Sequence, residues 1–212
     1  RCCGRSKSPR LRSALQRLTK RRKLEYASAD MSELPPPPDV EIGAPMIAHT
    51  ERVVVDMAPH AFSEWMLHAR LEDQIPDTRA LPGVVGTAQL TPGDWGRPGA
   101  RRVVHLSDGA RCTEQVLTYI PGEVFRYVVW DYTTAAARRV TYAVGEFLYA
   151  PLEGGRTQVT WTYAFRLKAD RFPGKMGRLG RWIFRHAFLE RNYAELMRAT
   201  LRATKAYAEG KT

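Results

Sequence analysis

The sequence predicts an α+β domain of seven antiparallel strands, with two short helices after the first strand and one long C-terminal helix. Three observations carry this. β-branched and aromatic runs separated by Gly/Pro turn signals fill residues 84–168, and helical periodicity occupies 176–208. In the stretch VVVDMAPHAFSEWM (Val53–Met66) the chain passes from strand to helix with no linker.

The first strand spans about 49–57. Pro59 then suits the first helical turn, where its missing N–H costs nothing. Phe62, Trp65, Met66 and Ala69 follow at helical spacing, so one or two short helices fill 59–80 before Leu81-Pro82-Gly83 turns the chain. Strands are expected at 84–90, 101–106, 111–120, 124–131, 140–150 and 157–168. The turn signals between them are TPGDWGRPG, Asp108-Gly109, Pro121-Gly122 and Glu153-Gly154-Gly155. In the last segment Leu179, Ile183, Ala187, Ala194, Met197, Leu201 and Ala208 trace one stripe, with the long helix starting near Trp182.

The net charge of +11 is concentrated at one end. Residues 1–23 hold ten Lys/Arg and no acid, which leaves 23 basic and 22 acidic residues from Leu24 onward. The folded body is nearly neutral, so no nucleic-acid groove is expected across it. Residues 1–46 read as a basic, Pro-containing disordered extension and linker, ending in the semi-rigid Pro35–Pro38, with the folded domain at 47–209. Leu11, Leu15 and Leu18 share a helical face among the arginines, which also allows a membrane- or RNA-touching arm. The alternative is sequence lying upstream of a start at Met31. Neither a signal-type apolar region nor a run of ~18 apolar residues is present in the sequence.

Cys2, Cys3 and Cys112 form neither a disulfide framework nor a metal quartet, which suits a reducing cytoplasm. The five histidines are scattered, without HExxH spacing, and no nucleotide or nucleophile-elbow motif occurs, so no metal or cofactor is expected.

The order of elements, carried by the DMAPHAFSEW corner, the GEFLYAPLEGGRTQVTWTY hairpin and the Leu179–Ala208 helix, resembles the START-like helix-grip superfamily (SRPBCC). That superfamily includes polyketide cyclases and lipid-transfer domains. The resemblance implies a sheet curled around the long helix, with a hydrophobic ligand held between them.

Strand alternation and hairpin register predict which side chains line that hollow. Trp161, Tyr163 and Phe165 share the aromatic face of the last strand. A two-residue Glu153-Gly154 loop sets Glu146 opposite Trp161 and Tyr142 opposite Phe165. Two-residue turns upstream turn Tyr127 and Glu114 inward, with Arg101 and His105 diagonal to Glu114 on the same face. Trp95 in the GDWG loop either caps the mouth or pins its own loop. Ile183 and Ala187 close the hollow from the helix. A mostly apolar cavity with sparse polar anchors fits a small-molecule site.

Three functions follow as expectations. The first is a cytoplasmic binder, or carrier, of a lipid-like or polyketide-like molecule. The second is a cyclase/dehydratase-type enzyme with Glu146 or Glu114 as general base and a tyrosine donating to an enolate oxygen. The third is an adaptor working through the basic tail. Within KMGRLGRWIFRHAFLER (Lys175–Arg191), arginines interleave with Trp182, Phe184 and Phe188. That pattern reads either as a basic solvated face or as a transient membrane contact.

Overall fold

A computed structural model describes residues 35–41, 43–134 and 137–210. The expectations for the basic tail, including Cys2, Cys3 and the Leu11–Leu18 face, lie outside these residues.

The chain opens with β1 (Ile47–Val55), then α1 (Pro59–His68) and the single turn α2 (Leu71–Gln74). A meander follows: β2 (Val84–Gln89), β3 (Arg101–Leu106), β4 (Arg111–Ile120), β5 (Val124–Trp130), β6 (Val140–Leu152) and β7 (Arg156–Leu167). After a 3₁₀ turn come α3 (Gly177–Phe184), a π-helical stretch at Arg185–Tyr193 and α4 (Ala194–Ala208). The sheet order is β1-β7-β6-β5-β4-β3-β2, entirely antiparallel, so β1 closes onto the last strand rather than onto β2.

Local chemistry explains the corner at the start. Ala58 is extended, Pro59 occupies the first turn of α1, and Phe62, Ser63 and Met66 are buried. The helix has no side-chain N-cap. It is tethered instead by tertiary bonds: Ser63 donates to the His60 carbonyl and accepts from the Gly122 N–H at 2.8 Å, which fixes α1 to the β4–β5 turn.

One core lies between the inner face of the sheet and the helices, joining Val116, Phe125, Tyr127, Phe147, Trp161 and Phe165 to Leu189, Met197 and Leu201. A second, smaller cluster sits on the outer face of the sheet. There Val128, Trp130, Tyr142 and Val144 are covered by Val40 and Met46, and Trp130 Nε1 donates to the Pro35 carbonyl at 3.1 Å. Residues expected to be linker therefore pack on the sheet from Pro35 onward.

The hairpins explain where the predicted register fails. In β6–β7, Leu152 pairs with Arg156, so the loop is the three residues Glu153-Gly154-Gly155, with both glycines at positive φ (74° and 70°). Only glycine enters that region without strain, and two such residues in succession add one residue to the expected loop. The slip reverses β6: Phe147, not Glu146, faces Trp161, and Tyr142 pairs with Arg166. The β3–β4 turn likewise holds three residues, because Leu106 donates to the Ala110 carbonyl and His105 pairs with Arg111. At β4–β5, Ile120 pairs with Val124 around another three-residue loop, but a bulge between Val116 and Thr118 takes the extra residue back. Hence Glu114 still meets Val129 and Val116 still meets Tyr127, as expected.

Candidate functional site: a two-lobed hollow between sheet and helix

Inner-face side chains leave space against α2, the π-helical stretch and α4. A larger cavity of about 120 Å³ is lined by Val104, Cys112, Val129, Tyr132, Phe188 and Tyr193, among others. A smaller one of about 50 Å³ is lined by Met66, Gln74, Trp95, Arg102, Thr200 and Thr204, among others. Ile75, Glu114, Tyr127 and Trp161 border both, so the two are lobes of one hollow divided by those side chains. An apolar cavity of ~150 Å³ is large enough for benzene. On that scale the larger lobe accepts about one aromatic ring, and a multi-ring molecule needs both lobes and movement of the partition.

One ion pair stands at the partition. Both Nε and Nη2 of Arg102 lie 2.7 Å from Glu114 Oε2, and the Arg102 guanidinium stacks over Trp95 at 3.9 Å. Trp95 packs edge-on against Phe125. The GDWG loop is thus joined to the hollow by aromatic and cation–π contact as well as by burial.

The remaining polar groups are hydroxyls, the Trp161 indole and the Gln74 amide, whose Oε1 accepts from Thr204 Oγ1 at 3.4 Å. Tyr132 and Tyr163 hydroxyls lie 3.2 Å apart, and the Tyr193 ring packs on Tyr163. Burial pushes the phenols of Tyr127, Tyr132, Tyr163 and Tyr193 above their ordinary range, so all four stay protonated. Burial, then the Glu114 charge, also raises the Cys112 thiol, which leaves it a poor nucleophile. Trp161 Nε1–H approaches the Tyr127 hydroxyl without hydrogen-bond geometry, and Thr200 Oγ1 has no bond among the described residues. Both side chains border the smaller lobe. Among the described residues the hollow therefore offers hydroxyl and indole donors, the Gln74 amide, a single carboxylate already held by arginine, and apolar walls. That set suits an apolar molecule bearing a carbonyl or hydroxyl oxygen.

Six predicted placements are corrected. Glu146 lies on the outer face, half-exposed, 3.9 Å from Arg126. Tyr142 is buried on the outer face in the Trp130 cluster. Arg101 and His105 alternate with Arg102 and Val104, which line the hollow, and so point outward. The cause for all four is the three-residue loop. Ile183 is half-buried away from both lobes and Ala187 is exposed. Here the cause is the π-helical stretch, whose wider turn breaks the 3.6-residue period. Among the helix side chains that reach the core or hollow, the row Phe184, Phe188, Tyr193, Met197 and Leu201 contains one step of five. Trp95, Glu114, Tyr127, Trp161, Tyr163 and Phe165 all border the hollow.

Sequence reasoning missed Arg102, Tyr132, Tyr193 and Thr200. Arg102 was hidden by loop length and Tyr193 by the five-residue step. Tyr132 lies beyond the end of β5, where strand alternation carries no information.

A seven-stranded meander gripping a C-terminal helix around a hollow defines the class. The family model for polyketide cyclase / dehydrase and lipid transport matches residues 49–209, and the chain belongs to that family. Among solved structures, it is similar to Ara h 8.0201 (TM-score 0.56, 11% identity, 78% of this chain and 99% of that one). It is also similar to the Zhui aromatase/cyclase from Streptomyces sp. R1128 (TM-score 0.53, 20% identity, 78% and 94%). A third is the di-domain ARO/CYC StfQ from the steffimycin biosynthetic pathway (TM-score 0.55, 16% identity, 78% and 51%), of which this chain spans about half. At these identities the likeness is one of fold. A search of curated proteins finds no significant match.

Proposed function

We propose that this protein binds a hydrophobic small molecule, lipid-like or polyketide-like, in the hollow between sheet and helix, and works in a reducing cytoplasm. The observation that carries the reading is the apolar two-lobed cavity, where indole and hydroxyl donors are presented to its interior without full partners. Buried donors left in that state cost free energy unless a ligand oxygen meets them. The volume favours a compact ligand of about one ring, or a larger one that displaces the Tyr127–Trp161 partition. The family's cyclases and the aromatase/cyclase neighbours support the same class of ligand.

Binding is favoured over catalysis for a specific reason. The one carboxylate bordering the hollow, Glu114, gives Oε2 to two Arg102 nitrogens, and a general base must be free to take a proton. The enzymatic alternative keeps Glu114 as base, once substrate draws Arg102 away, with Tyr163 or Tyr132 donating to an enolate oxygen.

Native mass spectrometry of the purified chain, together with titration by a naphthalene-based fluorescent probe, tests the binding reading. A co-purifying apolar mass or saturable probe uptake is expected, and a protein that takes up neither sinks it. With a turned-over substrate in hand, Glu114→Gln separates the alternatives. Retained uptake with lost turnover supports catalysis, and unchanged turnover removes the base assignment.

A further inference from the structure

We propose that the outward side of α3 docks this protein on an anionic lipid surface. Four large apolar side chains are exposed within a short span, Phe172, Met176, Leu179 and Trp182, the last two at 53% and 59%. The same span, 171–185, holds five cations (Arg171, Lys175, Arg178, Arg181 and Arg185) and no acidic residue. Arg171 and Arg185 have loose ion pairs, with Asp170 at 3.8 Å and Glu190 at 3.9 Å, while Lys175, Arg178 and Arg181 make none among the described residues.

The helical geometry sorts these groups into three faces. Each residue turns the helix by ~100°. Gly180 and Phe184 fall together and are buried. Leu179, Trp182 and Ile183 form a second stripe, and Arg178, Arg181 and Arg185 a third beside it. Single exposed apolar residues are ordinary, but a stripe containing tryptophan and flanked by a row of arginines is not. An anionic bilayer satisfies both rows at once: headgroups meet the arginines while tryptophan and leucine enter the acyl boundary. An acidic protein surface would answer only the charge.

The buried side of the same segment leads directly to the hollow. Phe184 packs on Phe165 and on Phe188, and Phe188 walls the larger lobe. Docking through α3 would hold that wall against the lipid from which an apolar ligand could be taken. The surface stands on its own observations and does not depend on the ligand-binding reading.

The test uses the full chain, whose basic residues 1–23 also attract anionic lipid, so the readout must be local to α3. Vesicles of phosphatidylcholine with and without phosphatidylglycerol, some carrying brominated acyl chains, are the probe. The wild type should sediment with the phosphatidylglycerol vesicles, and bromine should quench its tryptophan fluorescence. Trp182→Phe should abolish that quenching, and Leu179→Ser combined with Trp182→Ser should weaken binding by roughly tenfold. The proposal is overturned by no vesicle binding, by binding without quenching, by quenching that survives Trp182→Phe, or by equal affinity of the double variant. A lipid-free dimer that the double variant converts to monomer would make a second copy the occupant, and would equally overturn it.

Discussion

The side chains that shape the hollow are held by contacts that single substitutions read out. Tyr127 lies across from Gly145, and a Cβ built there would sit 2.2 Å from the Tyr127 ring. Gly145→Ala should therefore push the ring into the partition, costing about 1–3 kcal/mol and lowering probe uptake. Gly86→Ala is the control, since nothing lies within 4 Å of its Cβ position, and its effect should stay within about 0.5 kcal/mol. The two glutamates first read as equivalent bases also separate. The Arg102–Glu114 side chains are only 15% and 10% exposed, against 45% and 35% for Arg126–Glu146. Arg102→Met should cost about 2–4 kcal/mol by stranding a buried carboxylate, whereas Glu146→Gln should cost under about 0.5 kcal/mol, both measured by urea denaturation. Burial, then the neighbouring Arg111 charge, lowers the His105 pKa, so the neutral ring belongs to the folded state. Its contribution is complete above the ordinary imidazole value of ~6.5 and is lost as pH falls below it, because the unfolded chain takes the proton first. His105→Gln should flatten the fall in melting temperature between about pH 7 and 5.5.

At the scale of elements, the π-helical stretch sets which helix face sees the hollow. Phe184 and Phe188 lie one turn apart, Tyr193 comes five residues later, and Met197 and Leu201 resume at four. Inserting one alanine after the exposed Glu190 would lengthen that step to six, beyond what the one widened turn absorbs, and rotate α3 by ~100° relative to α4. Phe184 and Phe188 would then leave the core, at about 1.5–3 kcal/mol for each ring exposed. The expected result is a lower melting temperature with lost probe uptake. An unchanged melting temperature would mean that the helix absorbs the insertion without turning. The hairpins show the same dependence on single residues. Three loops each hold one residue more than the shortest turn, and only at β4–β5 does a bulge restore the face.

For the molecule as a whole, the outer face of the sheet needs the segment preceding β1. Val40 and Met46 cover Trp130, Tyr142, Val128 and Val144, and the Pro35 carbonyl takes the Trp130 indole N–H. A chain starting at Ile47 should be less stable by about 3 kcal/mol or more, with Trp130 newly exposed to fluorescence quenchers. Among the described residues no helix is long and apolar enough to cross a membrane. What the sequence by itself determined is the element order, the strand-to-helix corner at Pro59, and the inward faces of β5 and β7. These follow from local signals, namely proline geometry and two-residue alternation between apolar and polar side chains. It could not determine which residues of β3 and β6 face the hollow, nor which stripe of the C-terminal helix does. A strand's facing inverts with one added loop residue, and a helix's phase turns with one widened turn. Both were settled by tertiary packing: the aromatic stack of Phe147 on Trp161 selects the β6 register, and Tyr193 against Tyr163 and Phe165 selects the helix phase.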